Sequence, residues 1–116
     1  GAIWSLARRV GSRKTMELSA FAEPSDAQAA LDMQLVNRDG AAGAALAEAL
    51  EAAEKFAANP PIAMALLKSA LNTGADSLDQ AIATEIDYLP MLMNTQDFAE
   101  ATLAFREKRK PKFTGR

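Results

Sequence analysis

The run Ala104-Phe105-Arg106-Glu107-Lys108-Arg109-Lys110-Pro111-Lys112-Phe113 places an aromatic ring directly before a knot of positive charge and then a proline. Three kinds of chemistry suit such a stretch: a solvated tail, a nucleic-acid patch, or an edge that binds the phosphates of one small ligand. The chain offers few other reactive groups. It holds no cysteine and no histidine, so thiolate nucleophiles, zinc-finger spacing and Ser-His-Asp or Cys-His chemistry are excluded. Carboxylates, lysines and backbone amides remain. No metal site is expected, and the fifteen acids give no sign by themselves of a paired general acid and base.

The distribution of charge decides against nucleic acid. Formal net charge is −2, but Arg8, Arg9, Arg13 and Lys14 cluster near the start, and Arg106, Lys108, Arg109, Lys110, Lys112 and Arg116 at the end. Between Thr15 and Phe105 only Arg38, Lys55 and Lys68 face the carboxylates of an acidic body, whose summed field repels a polyanion. A local basic edge for one small anion is compatible with that body.

These groups must be positioned by helices. Apolar residues recur at helical spacing, and the alternation of a strand is nearly absent. Ile3–Val10 reads as a short helix stopped by Gly11, and Ser12 as the cap of a second that ends before Pro24. Ser25 or Asp26 caps Ala27–Met33. Leu35-Val36-Asn37 is the one stretch with strand character. A long alanine-rich helix is expected from Ala41 to Ala57, ended by Asn59-Pro60-Pro61. Ile62–Asn72 is apolar on nearly all sides, with Lys68 its lone charge. Ser77 and Gln80 form a capping box ahead of the stripe Leu78, Ile82, Ile86, Leu89 and Met93, and Pro90 is expected to kink or end that helix near Leu89. Asn94 or Thr95 caps a last helix, with Asp97 in its first turn. The fold class is therefore mainly α, about six helices with short loops and little or no sheet. No apolar run is long enough to span a bilayer, and no signal peptide opens the sequence, so a cytoplasmic protein is expected.

Several spaced features together resemble the enoyl-CoA hydratase/isomerase (crotonase) superfamily, and its C-terminal part only. Gly1-Ala2-Ile3-Trp4-Ser5-Leu6-Ala7-Arg8-Arg9-Val10-Gly11 is similar to the family stretch GGTQRLPRLVG. Thr15-Met16-Glu17-Leu18, Ser25-Asp26-Ala27-Gln28-Ala29-Ala30 and Leu35-Val36-Asn37 resemble its A-x-E-L … DAxEAxxxGLVN segment. Pro61, Lys68, Glu85 and Asp97 also match, and Glu100 through Gly115 resembles EGxxAFxEKRxPxFxG. Four positions depart: Ala2, Gln34 and Ala101 stand where glycine is usual, and Ala7 replaces a proline. Gln34 matters most physically, because a glycine there permits a left-handed helix end.

The resemblance implies an enzyme of acyl-CoA thioesters, as in fatty acid metabolism. Two backbone N–H groups stabilise an enolate-like oxyanion, and one or two carboxylates move protons. It also implies that those groups lie before residue 1, so no catalytic residue is expected in this segment and no cofactor besides the coenzyme A thioester substrate. Residues 1–38 would be the end of the crotonase-like core, and 39–116 a helical region for oligomerisation and the CoA edge. Phe105 and Lys108, neighbours on a helix surface, match positions beside the CoA adenine and phosphates; read from the residues alone, Phe105 on its apolar stripe suits a core and Lys108 a solvated helix end. Trp4, where glutamine is common, would border the acyl pocket. Glu85 is expected to be a buried ion-pair partner. The expected partners are acyl-CoA and further copies of the chain: a trimer or hexamer for the parent protein, a dimer or higher oligomer for this segment. A noncatalytic helical self-association module is the alternative.

Overall fold

The computed structural model describes residues Gly1–Arg116 as six α-helices without a strand. They form two compact units, Gly1–Ala49 and Leu50–Arg116. No helix is long and apolar enough to cross a membrane.

In the first unit, α1 (Ala2–Phe21) is two helical segments joined at Gly11, whose φ of 80° and ψ of 160° break the spiral. Thr15, buried, donates its hydroxyl to the Gly11 carbonyl at 2.9 Å, tying the second segment to the residue at the break. Asp26 rather than Ser25 caps α2 (Ala27–Asp32), its carboxylate accepting from the Ala29 N–H at 2.8 Å. Gln34 follows with φ 59°. Its N–H reaches the Leu31 carbonyl and that of Leu35 the Ala30 carbonyl, both at 2.9 Å. This pair of bonds is the Schellman closure, made here on a glutamine. It also corrects the expectation of strand character at Leu35–Asn37: the Leu35 and Val36 donors turn back onto α2 and are unavailable to a ladder.

α3 (Ala45–Ala57) runs across the join between the units. It starts four residues later than the composition suggests, because Gly43 has φ 84° and a turn from the Ala44 N–H to the Ala41 carbonyl precedes it. Helix-forming alanines cannot extend a helix back through a left-handed residue. At the other end Asn59 donates its side-chain amide to the carbonyls of Lys55 and Phe56.

In the second unit, α4 (Pro61–Thr73) begins on a proline, where the missing N–H costs nothing. α5 (Leu78–Met93) packs against α4, with Tyr88 Oη and Ser69 Oγ 3.3 Å apart. Ser77 Oγ caps the Gln80 N–H, while Gln80 Oε1 accepts from Asp76 N–H, one residue beyond the expected reciprocal partner. Of the two outcomes expected at Pro90, a kink or an end, the helix does not end there but runs on to Met93. A proline removes one N–H and leaves its own carbonyl free to accept; here that carbonyl takes the backbone and side-chain N–H groups of Asn94 at 3.2 and 2.9 Å, which closes the final turn. α6 (Gln96–Glu107) packs on α5 and is capped by Thr95, whose Oγ1 accepts from the Phe98 N–H.

Ala104 alone among apolar residues is buried, at 1 % exposure. The α5 stripe of Leu78, Ile82, Ile86, Leu89 and Met93 faces outward throughout its length. Glu85, expected in a buried ion pair, is exposed on the same helix. A stripe of this kind ordinarily points into a core; in this chain it remains open.

Candidate functional site: the end of α6 and its returning tail

α6 ends in a second Schellman closure. The Lys108 N–H reaches the Phe105 carbonyl at 3.3 Å and the Arg109 N–H reaches the Ala104 carbonyl at 3.0 Å. Lys108 itself lies in the left-handed region at φ 55°. That conformation costs a residue with a Cβ roughly 1–2 kcal/mol, and glycine is the usual occupant. A lysine there keeps an ammonium at the corner where the helix stops. Its side chain makes no hydrogen bond or ion pair within the chain.

Beyond the corner the chain turns back along α6 and is held by two carboxylates one turn apart. Asp97, only 2 % exposed, accepts the Thr114 N–H on Oδ1 at 2.7 Å and the Gly115 N–H on Oδ2 at 2.8 Å. Its own N–H donates to the Arg116 carbonyl at 3.1 Å. Glu100 receives the two Arg109 guanidinium nitrogens as a fork, Nη1 to Oε1 at 2.6 Å and Nη2 to Oε2 at 2.9 Å, and the Lys112 N–H at 2.8 Å. Arg109 Nε is also taken by Glu107, at 2.6 Å. The Arg109 hydrogen bonds first, then the Lys112 N–H, hold the Glu100 carboxyl down at about 2, and the two carboxylates raise Arg109 further above its ordinary range. Between tail and helix lies an open cleft of ≈ 660 Å³ lined in part by Leu103, Lys110 and Lys112. Pro111 cannot donate to a helix, and Gly115 adopts φ 75° close to Pro61. The tail is thus extended by composition and fastened by side chains.

Phe105 stands in the last turn of α6 and Lys108 just past its end, so they are not the neighbours on one helix surface that the spacing suggests. Phe105 is 85 % exposed, the most open large apolar side chain in the chain, so a core role for it within the 116 residues is ruled out by its solvation. Trp4 belongs to the other unit and shares no element with them. It is 64 % exposed, and Arg8 lies one turn on with its guanidinium carbon 4.8 Å from the ring centroid. Lys68, the lone charge on α4, is exposed. The chain gathers no group of three acidic, histidine or cysteine side chains in a geometry that would hold a metal. Asp97, Glu100 and Arg109 are what reading the sequence missed as a set. The available signal was two acids three residues apart on one helix face, followed within a dozen residues by an arginine and a Pro/Gly-containing tail that cannot be helical.

Comparison with known proteins bears on what this corner serves. The family enoyl-CoA hydratase/isomerase matches residues 1–116. A protein of Arabidopsis thaliana named "Probable enoyl-CoA hydratase 2, mitochondrial" is 35% identical over 117 residues, covering 99% of this chain and 38% of its own length. The short-chain-enoyl-CoA hydratase of Clostridium acetobutylicum is 34% identical over 111 residues, covering 95% of this chain and 42% of its own. The crystal structure of enoyl-CoA hydratase from Bacillus anthracis superposes on all of this chain and 45% of its own with a TM-score of 0.94 at 32% identity. The chain therefore spans about two-fifths of the length of the curated relatives it matches. With helices, order and residues matched from end to end, it belongs to the enoyl-CoA hydratase/isomerase family.

Proposed function

We propose that this chain is the helical C-terminal part of an enoyl-CoA hydratase/isomerase-type enzyme that acts on acyl-CoA thioesters through an oxyanion-stabilised enolate. In this reading the N–H donors and carboxylates that act on the thioester lie outside the 116 residues, with residues 1–38 closing the core and 39–116 forming the CoA edge and the subunit contacts. Phe105 offers a face for the adenine and Lys108 a point charge for a phosphate; Trp4 borders the acyl group.

The observation that carries this reading is the amount of surface left open, with large apolar side chains among it. Two compact bodies of 49 and 67 residues would expose roughly 7,400 Å² even if held wholly apart, whereas this chain exposes 9506 Å². Leu78, Leu46 and Phe56 are among the open side chains. Surface of that kind is covered in a working protein by further chain or by other copies. The partners that suit it are the remainder of the same enzyme and neighbouring subunits of a trimer or hexamer.

The test is hydration of crotonyl-CoA, followed by loss of the enoyl absorbance, by the full-length protein and by the 116-residue chain alone. Turnover by the first and none by the second is expected, and turnover by the short chain free of host enzyme overturns the assignment. The same open faces support a second reading, a noncatalytic self-association module. It requires an inactive full-length protein, with the short chain forming a dimer or larger particle by light scattering at micromolar concentration.

A further inference from the structure

The corner at Lys108 is held from a distance. Of the cations between Arg106 and Lys112, Arg109 is consumed by Glu100 and Glu107. The bound arginine directly follows Lys108, and the tail it starts is fixed at three further backbone N–H groups, those of Lys112, Thr114 and Gly115. Lys108 is therefore bracketed. On one side stand the Schellman bonds to Ala104 and Phe105; on the other, a tail whose path is dictated by two carboxylates. A residue in the left-handed region has no intrinsic preference for staying there. Release of the tail would let Lys108 relax toward ordinary helical or extended geometry, and its ammonium would sweep a wide volume instead of a narrow one.

We propose that Asp97 and Glu100 are positioning residues that strap the Arg109–Gly115 tail to α6 and thereby hold the Lys108 ammonium in place for an anionic ligand. This rests on the reading of Lys108 as a phosphate contact for CoA. Glu100 has a second effect. By pairing with Arg109 it occupies one of the two guanidinium forks near the corner and leaves Lys108, a point charge, unpaired there beside Arg106 and Lys110. Asp97 acts at the far end of the strap, where its two oxygens fasten consecutive N–H groups so that the last residues cannot peel back toward the corner.

The experiment measures CoA binding to the full-length protein by calorimetry for the parent and for Lys108→Ala, Glu100→Gln, Asp97→Asn and the double variant Glu100→Gln/Lys108→Ala. Lys108→Ala is expected to weaken CoA roughly three- to ten-fold, the worth of one solvent-facing charge-assisted contact. Glu100→Gln and Asp97→Asn are each expected to weaken it by a comparable factor without touching the ligand. The double variant should be no weaker than Lys108→Ala within about two-fold, since a strap with nothing to position contributes nothing. A purely structural role predicts losses that multiply, and that result overturns the proposal. Unchanged CoA affinity in both strap variants, with a loss in Lys108→Ala, overturns the strap and leaves the phosphate contact standing. Unchanged affinity in Lys108→Ala removes the contact itself and the proposal with it. Limited trypsin digestion reports tail release independently, through faster cleavage at Lys112–Phe113 in the strap variants. Should Asp97→Asn fail to fold, Arg109→Lys serves in its place, because a lysine keeps the charge and loses the fork.

Discussion

Gln34 lets the cost of a departure from family pattern be worked out in advance. It closes α2 at φ 59°, with its own N–H on Leu31 and the next on Ala30, and its side chain is exposed. Any residue with a Cβ loses roughly 1–2 kcal/mol there. Glycine escapes that loss but has more freedom to give up on folding, about 0.5–1 kcal/mol. Gln34→Gly should then stabilise by the difference, about 0.75 kcal/mol at the middle of the two ranges. With a urea dependence of about 1–3 kcal/mol per molar, the midpoint of unfolding should rise by roughly 0.25–0.75 M. Gln34→Ala retains the Cβ and removes the rest of the side chain, so it should stay within about 0.5 kcal/mol of the parent. Urea titrations of the full-length protein, made at one fixed protomer concentration because assembly shifts apparent stability, compare the parent with both variants. If Gln34→Gly proves no more stable than Gln34→Ala, the assignment of strain to the backbone is refuted.

Two further outcomes follow from the second unit. Glu100 has a carboxyl lowered from 4.5 to about 2, so its contribution is complete above its ordinary 4.5 and is lost as pH falls through the range down to about 2. Carbon-detected NMR of the Glu100 carboxyl should find it still ionised at about pH 3.5, and the strap intact there; titration near 4.5 would refute the fork as the cause, and added salt should raise the midpoint, since the pair is partly exposed. Pro90, exposed within α5, withholds an N–H from the Ile86 carbonyl. Pro90→Ala should restore that bond and gain about 1 kcal/mol or more, read as slower hydrogen exchange along Ile86–Met93. Faster exchange would show that the proline is fixing the α5–α6 connection instead.

The helices were legible in the sequence because caps and breakers act locally. Asp26, Ser77 and Thr95 accept N–H groups within three residues of themselves, and Gly11, Gly43 and Gly74 interrupt the spiral by their own φ values. Such features need no partner far along the chain. The misreadings have the same logic in reverse. Alanines at 41–44 favour a helix by propensity, but Gly43 in the left-handed region decides the start of α3. Pro90 reads as a kink or an end by rule, yet a single missing N–H is a finite cost that Asn94 and the packing on α4 offset. Leu35 and Val36 have strand propensity and no ladder to join, so α2 takes their donors.

The candidate site divides along the same line. Lys108, expected on the same helix surface as Phe105, lies just past the helix in the left-handed region, whereas Phe105 was readable as a residue of the last helical turn. The strap was not, because it joins Asp97 to Gly115 and Glu100 to Lys112 through backbone N–H groups, and a backbone donor leaves no letter in a sequence. Only the acids and the arginine are visible, and each has an ordinary local explanation: an acid in the first turn suits the helix dipole, and a basic cluster suits the last. What turns these into one device is the tail's inability to be helical. Pro111 offers no donor, Lys108 has already reversed the chain, and Gly115 takes a conformation few residues adopt. A tail so constrained must place its remaining N–H groups somewhere, and the two carboxylates one turn apart are placed to receive them. The corner that bears Lys108 is then the product of a satisfied backbone rather than of any residue chosen to touch a ligand, and for that reason a change at Asp97, eleven positions upstream, is the place to look for a loss of binding.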